Sequence, residues 1–226
     1  MAESTGRPLT DRHVEVPSSA GVLKGILAVP RDARGIVIFA HGSGSSRFSP
    51  RNNFVARVLQ QGGIATLLMD LLTEEEAEDR SRVFDIDLLT ERLLEATRWV
   101  ERQPGTQGLR IGYFGASTGA AAALKAAARE GPRIAAVVSR GGRPDLAADV
   151  LPQVKAPTLL IVGGDDQPVV ELNRQAYNLL TGEADLSIVP GATHLFEEPG
   201  ALEEVARLAT DWFQRHLRPQ RLQRAA

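Results

Sequence analysis

The sequence predicts an α/β fold, a mostly parallel sheet with helices on both faces. Three observations carry this. Strand-length apolar, β-branched segments recur along the chain, amphipathic helical segments lie between them, and a hairpin signal precedes the first buried strand. With 226 residues, 43% of them hydrophobic and 24% charged, the chain is long enough for one large domain, expected over residues 1–217. The basic segment from Arg218 to Ala226, RPQRLQRAA, follows the last apolar stripe and is expected to fray.

Arg12 to Val16 and Val22 to Val29 flank the turn signal Pro-Ser-Ser-Ala-Gly, as expected for an antiparallel hairpin at a sheet edge. The buried strands are expected at Gly35–Ala40, Ile64–Met69, Leu109–Phe114, Ile134–Val138, Thr158–Val162 and Leu186–Val189. In VFDIDLLTERLLEATRWV, the residues Ile86, Leu89, Leu93, Ala96 and Val100 are spaced three and four apart and share one helical face. Leu202, Val205, Ala209 and Trp212 repeat that pattern in the closing helix, with Pro199 and Gly200 near its start. The acidic run EEEAED, Glu74 to Asp79, lacks the spacing of a calcium loop and reads as a solvated connection.

Several function classes fall away. A net charge of −2 provides no global field for nucleic acid or an anionic membrane. No apolar run is long enough to span a bilayer, and the N-terminal segment lacks a basic start followed by an apolar core, so a cytoplasmic protein is expected. The absence of cysteine removes disulfides, thiolate zinc sites and a cysteine nucleophile.

In an open parallel sheet, function gathers at the carboxyl ends of the strands. The exit at Ala40 reads HGSGSSR. As a dinucleotide loop it has Gly42 and Gly44, but Arg47 stands where the third glycine belongs, and Asp70 is the one acid available at the next strand. No Gly-Lys-Ser/Thr follows, so a phosphate loop fails too. A tight turn leading into a helix near Asn53 to Gln60 is the plain alternative. The exit at Phe114 reads Gly115-Ala116-Ser117-Thr118-Gly119 between an apolar strand and an alanine-rich helix. That is the setting of a nucleophile elbow: the tight turn exposes the serine hydroxyl and the glycines tolerate the crowding. A serine nucleophile needs a base held by an acid. GGDDQPVV supplies Asp165 and Asp166 after the strand ending at Val162, and PGATHLFEEPG supplies His194 after the strand ending at Val189. His13 and His216 have no such setting and read as structural or exposed.

On FAHGSGSS, GASTG, LLIVGGDDQPV and PGATHLFEEPG in this order, the chain resembles the α/β hydrolases, and among them the small lidless dienelactone hydrolase-like members. The resemblance extends from the first hairpin to about Phe213. It implies about eight strands and a triad of Ser117 as nucleophile, His194 as general base and Asp166 as orienting acid. Asp166 is favoured by the family pattern Gly-x-x-Asp-x-x-Val, matched by Gly163, Asp166 and Val169; Asp165 and then Asp145 are the alternatives. It also implies an oxyanion hole made by the backbone N–H groups of Thr118 and Ser43, with the His41 side chain bracing the loop. The chain departs from dienelactone hydrolases proper in carrying serine where they carry cysteine.

The expected function is cofactor-independent hydrolysis of small carboxylic esters or lactones through an acyl-enzyme, by a monomer or homodimer. Acyl transfer, cofactor-free perhydrolysis and a non-catalytic binding role use the same scaffold. The segment between Val138 and Pro157 is too short for a cap domain, so an open site is expected. Arg47, Arg140 and Arg143 stand near strand exits as candidates for binding a substrate carboxylate or phosphate.

Overall fold

A computed structural model describes residues 11–218; the expected tail lies outside these apart from Arg218. The hairpin comprises β1 (Arg12–Ser18) and β2 (Gly21–Ala28). Six more strands follow: β3 (Gly35–Ala40), β4 (Ala65–Met69), β5 (Arg110–Ala116), β6 (Ile134–Arg140), β7 (Thr158–Gly163) and β8 (Ala184–Val189). They form one sheet in the order β1-β2-β4-β3-β5-β6-β7-β8. β1 and β2 pair antiparallel, β2 pairs antiparallel with β4, and every other neighbour is parallel. The order reverses at β3, which lies between β4 and β5, so the exits of β3 and β5 are adjacent at the carboxyl edge.

Two helical layers cover the sheet. α1 (Pro50–Gln61) and the closing helix, Ala201–His216, pack on one face over Val37, Phe39, Phe114 and Ile161. Ile86–Arg102 and Thr118–Glu130 pack on the other over Ile36, Ile38, Leu67 and Tyr113. Central strands buried on both sides explain the unbroken apolar runs; all six residues of β3 are buried. The alanines of Thr118–Glu130 let that helix sit close to the sheet, with Ala120 to Ala123 fully buried.

Three expectations need adjustment. β5 and β6 each run two residues past their expected ends because Ala116 pairs with Arg140, which carries the ladder to the carboxyl edge of the sheet. The segment starting at Val83 is not one helix, although the stripe from Ile86 to Val100 stays unbroken. Arg80–Val83 forms its own short helix (α3), and the long helix α4 begins at Ile86, where the Asp85 carboxylate caps the Leu88 N–H at 3.0 Å. The acidic run is not simply a solvated connection. Glu74–Glu78 forms a helical turn (α2) with a capping box between Thr73 and Glu76, and Glu76 is buried against Arg92 at 2.8 Å. A reciprocal cap and a buried cation remove Glu76 from water. No described helix is long and apolar enough to cross a membrane.

Candidate active site

Ser117 lies between β5 and α5 (Thr118–Glu130) with φ 51° and ψ −121°, a backbone conformation that costs a residue with a side chain about 1–3 kcal/mol. Hydrogen bonds hold it there: the Ser117 N–H donates to the Arg140 carbonyl at 3.2 Å, and its carbonyl accepts from Arg143 and Ala120, each at 3.1 Å. The flanking glycines are required by close approach. A Cβ on Gly119 would strike the carbonyls of Ala40 and His41, and one on Gly115 would meet the Ala120 backbone nitrogen at 2.7 Å. Only hydrogen at these positions lets β3, β5 and α5 converge beneath the serine.

Asp166 is the N-cap residue of α6 (Gln167–Leu179), but its side chain makes no capping bond; its Oδ2 lies 2.7 Å from His194 Nδ1. Asp165 is exposed, and its N–H goes to the Ala192 carbonyl at 3.0 Å. Asp145 is engaged by Arg143 through two bonds of 2.9 and 2.7 Å. The acid facing His194 is therefore Asp166, and the contact fixes the imidazole with Nδ1 toward the carboxylate. His194 and Ser117 line one cleft of about 210 Å³, with Gly42, Ser43, Arg51 and Arg140.

The β3 exit loop forms the opposite wall. Gly42 crosses directly over the elbow: a Cβ there would come within 3.0 Å of Ser117 Cβ and 3.1 Å of the Ala116 carbonyl. The His41 ring is fixed between the Gly42 carbonyl, 2.9 Å from Nδ1, and the Leu71 N–H, 3.1 Å from Nε2. A carbonyl partner makes Nδ1 the donor and leaves Nε2 the acceptor, a neutral ring; burial also pushes its pKa below the ordinary value. His41 thus braces the loop. The Thr118 N–H opens the first turn of α5, where helix geometry offers it no partner within the helix. The Ser43 N–H donates to Thr118 Oγ1 at 3.0 Å.

The three arginines differ. Arg47 is ion-paired with Asp70, which also accepts the Arg47 N–H at 2.7 Å, so both residues hold the loop. Arg143 is paired with Asp145. Arg140 is buried beside the cleft with its Nε unpartnered, and its guanidinium sits 5.8 Å from the Phe196 ring centroid. Sequence reasoning missed Arg51 and Asn52, which also line the cleft. The available signal was Ser49-Pro50, a cap followed by a helix-starting proline, which puts the first turn of α1 against the loop. His13 is exposed, and the His216 side chain packs against Trp212.

Residues 23–218 match the family described as the Dienelactone hydrolase family. A dienelactone hydrolase from Anabaena variabilis, known from its crystal structure, is 58% identical with a TM-score of 0.90, covering 93% of this chain and 99% of that one. Est1E from Butyrivibrio proteoclasticus shares the fold at 16% identity, with a TM-score of 0.78 over 90% of this chain and 98% of its own. A Mycobacterium tuberculosis protein named as a candidate phosphoribosyl transferase is 60% identical over 210 residues, 93% of this chain. This chain spans about half the length of that relative, 47%. A polyketide transferase of Stachybotrys chlorohalonatus is 31% identical over 156 residues, covering 68% of this chain and 50% of its own. By its matched length and its shared fold, this chain belongs to the dienelactone hydrolase family of α/β hydrolases.

Proposed function

We propose that this chain is a serine hydrolase of small carboxylic esters or lactones. The observation that carries the reading is the 2.7 Å contact between Asp166 and His194, opening onto the same cleft as a serine at positive φ. In this mechanism, His194 Nε2 takes the Ser117 proton as Oγ attacks the acyl carbonyl, and Asp166 stabilises the imidazolium through Nδ1. The tetrahedral oxyanion is held by the N–H groups of Thr118 and Ser43, the latter released from Thr118 Oγ1. His194 returns the proton to the leaving alkoxide, the acyl-enzyme forms, and water activated by His194 releases the acid.

The short path from β6 to β7 supports an open site: between them lie only the 3₁₀ turns Pro144–Ala147 and Leu151–Gln153. The transferase name belongs to relatives about twice as long as this chain and is not needed to account for a serine, histidine and aspartate at strand exits. The polyketide transferase relative gives acyl transfer a specific claim, since an alcohol or amine replacing water at deacylation uses the same groups. An acceptor competition assay separates the two. A fluorophosphonate probe is expected to label the protein at Ser117 and to leave folded Ser117→Ala unlabelled. Labelling of both proteins, or of neither, overturns the assignment.

A further inference from the structure

The edge of the sheet where the parallel strands begin gathers cations. Arg110 opens β5, Lys155 stands in the segment before β7, and the closing helix brings Arg215, His216 and, just past its end, Arg218 to the same place. Together they wall a cavity of about 470 Å³, a volume typical of small-molecule sites. Arg110 and Ser117 stand at opposite ends of β5, roughly 20 Å apart at about 3.3 Å per residue, so this cavity is remote from the catalytic cleft.

Acids outnumber bases in the chain, 28 to 26, yet among the described residues no carboxylate lines this wall. Nor is any of Arg110, Lys155, Arg215 and Arg218 ion-paired among them. A neighbouring arginine shows the alternative: Arg133 is held by Glu101 at 2.6 Å and by Glu130 at 2.8 Å. Glu183, which does not line the cavity, lies 3.5 Å from His216 Nε2. Like charges gathered in a concave wall repel one another and focus a positive field into it. The His216 ring feels that field. Burial pushes its pKa below the ordinary value, the Glu183 charge opposes the shift, and the Arg215 and Arg110 charges add to it.

Three of the four permanent cations are also held in place. Arg110 Nη1 donates to the Arg218 carbonyl at 3.3 Å, Arg218 Nε donates to the Gln214 carbonyl at 3.0 Å, and the Arg215 guanidinium lies 5.6 Å from the Trp212 ring centroid. Carbonyls and rings orient a guanidinium without neutralising it, and each fork keeps further N–H donors. Cations at the carboxyl end of a helix answer its dipole, which accounts for Arg215 and Arg218. It does not account for Arg110 at a strand start or for Lys155 in a loop. Beyond Arg218 the sequence PQRLQRAA adds Arg221 and Arg224 and no acid.

We propose that this wall binds a di- or triphosphate group, free or carried on a small organic part, at a site separate from the catalytic cleft. Guanidinium forks match pairs of phosphate oxygens, and the fixed forks lower the ordering cost of binding. Four cations less the one nearby carboxylate leave about three charges to be met, more than a single carboxylate offers. A pocket suits a compact ligand, whereas a nucleic-acid strand needs a groove that tracks its backbone.

Calorimetry on the full chain with inorganic tripolyphosphate, diphosphate and phosphate tests this, with ADP and ATP to show whether an organic part adds affinity. Tripolyphosphate is expected to bind at least about tenfold tighter than phosphate, and less tightly as salt rises. Lys155→Gln combined with Arg215→Gln, both exposed side chains, is expected to lose at least about tenfold, and Arg215→Lys to keep part of the affinity. Ser117→Ala and folded Arg140→Gln are expected to bind as wild type does, so the outcome is independent of the esterase reading. The His216 pKa, followed by NMR, is expected to rise on saturation because an anion favours the charged ring. No binding of tripolyphosphate at millimolar concentration, binding unchanged in the double variant, binding lost in folded Arg140→Gln, or an unmoved His216 overturns the proposal. A single-stranded oligonucleotide that binds through Lys155 and Arg215 while tripolyphosphate does not would assign the wall to nucleic acid instead.

Discussion

The exits of β5, β7 and β8 deliver side chains to the cleft, whereas the exit of β3 uses its side chains on itself. Ser117, Asp166 and His194 meet at the first group. In the β3 loop, His41 bridges a carbonyl and an N–H, Arg47 binds Asp70, and Ser49 Oγ accepts from the Asn52 N–H at 3.3 Å. A loop whose side chains are committed to fixing its backbone has the backbone itself as its working surface. Mutations should then act by different routes in the two regions: through chemistry at one, through placement at the other.

The comparison is broken most severely at the side-chain end. Ser117→Ala and Asp166→Asn are each expected to lower kcat by about 10⁴ or more in an ester assay, while Asp165→Asn stays within about twofold of wild type. Next is the buried pair of Glu76 and Arg92. Glu76→Gln takes the 2.8 Å carboxylate from Arg92, 4% exposed, which keeps Glu95 at 3.3 Å, and is expected to cost about 1.5–3 kcal/mol in denaturant unfolding. Burial pushes the Glu76 pKa up, but the Thr73 N–H and the Arg92 and Arg82 charges outweigh it and hold it below the ordinary 4.5. Its stabilisation is therefore complete above pH 4.5 and is lost as pH falls through the lower folded value; the Glu76→Gln protein lacks this part of the acid transition.

At the backbone end, Gly42→Ala puts a methyl 3.0 Å from Ser117 Cβ and is expected to lower kcat by about 10² with a much smaller change in melting temperature. Smallest is His41→Gln, which disturbs the bridge between Gly42 and Leu71. A loss of about 1–2 kcal/mol in stability is expected, with kcat falling more than KM rises. An effect of Gly42→Ala confined to stability would mean that the loop is scaffold only.

The strands and the order serine, aspartate, histidine were legible because each rests on local chemistry: unbroken apolar runs, a strand-to-helix turn rich in glycine, and the one histidine with a strand-exit setting near the C-terminus. Asp166 was legible only through a family spacing, since Asp165 is its chemical equal until the turn rotates one inward. The arginines were not separable at all. Arg47, Arg140 and Arg143 look alike as letters, and what distinguishes them is whether the fold brings an aspartate from two or twenty-three residues away. Glu76 escaped for the same reason: its partner Arg92 is sixteen residues distant, on another helix.

The bond from Ser43 N–H to Thr118 Oγ1 has a kinetic meaning under the proposed mechanism. A neutral substrate carbonyl entering there exchanges one neutral acceptor for another and gains little. Once attack begins, the oxygen carries charge and outcompetes the threonine hydroxyl, since hydrogen bonds to an ionised acceptor are roughly twice as strong. The hydroxyl acts as a placeholder, making the donor weakly available to what arrives and strongly available to what is being formed. Selectivity for the reacting state over the resting ester is thus set by a side chain that takes no part in bond making.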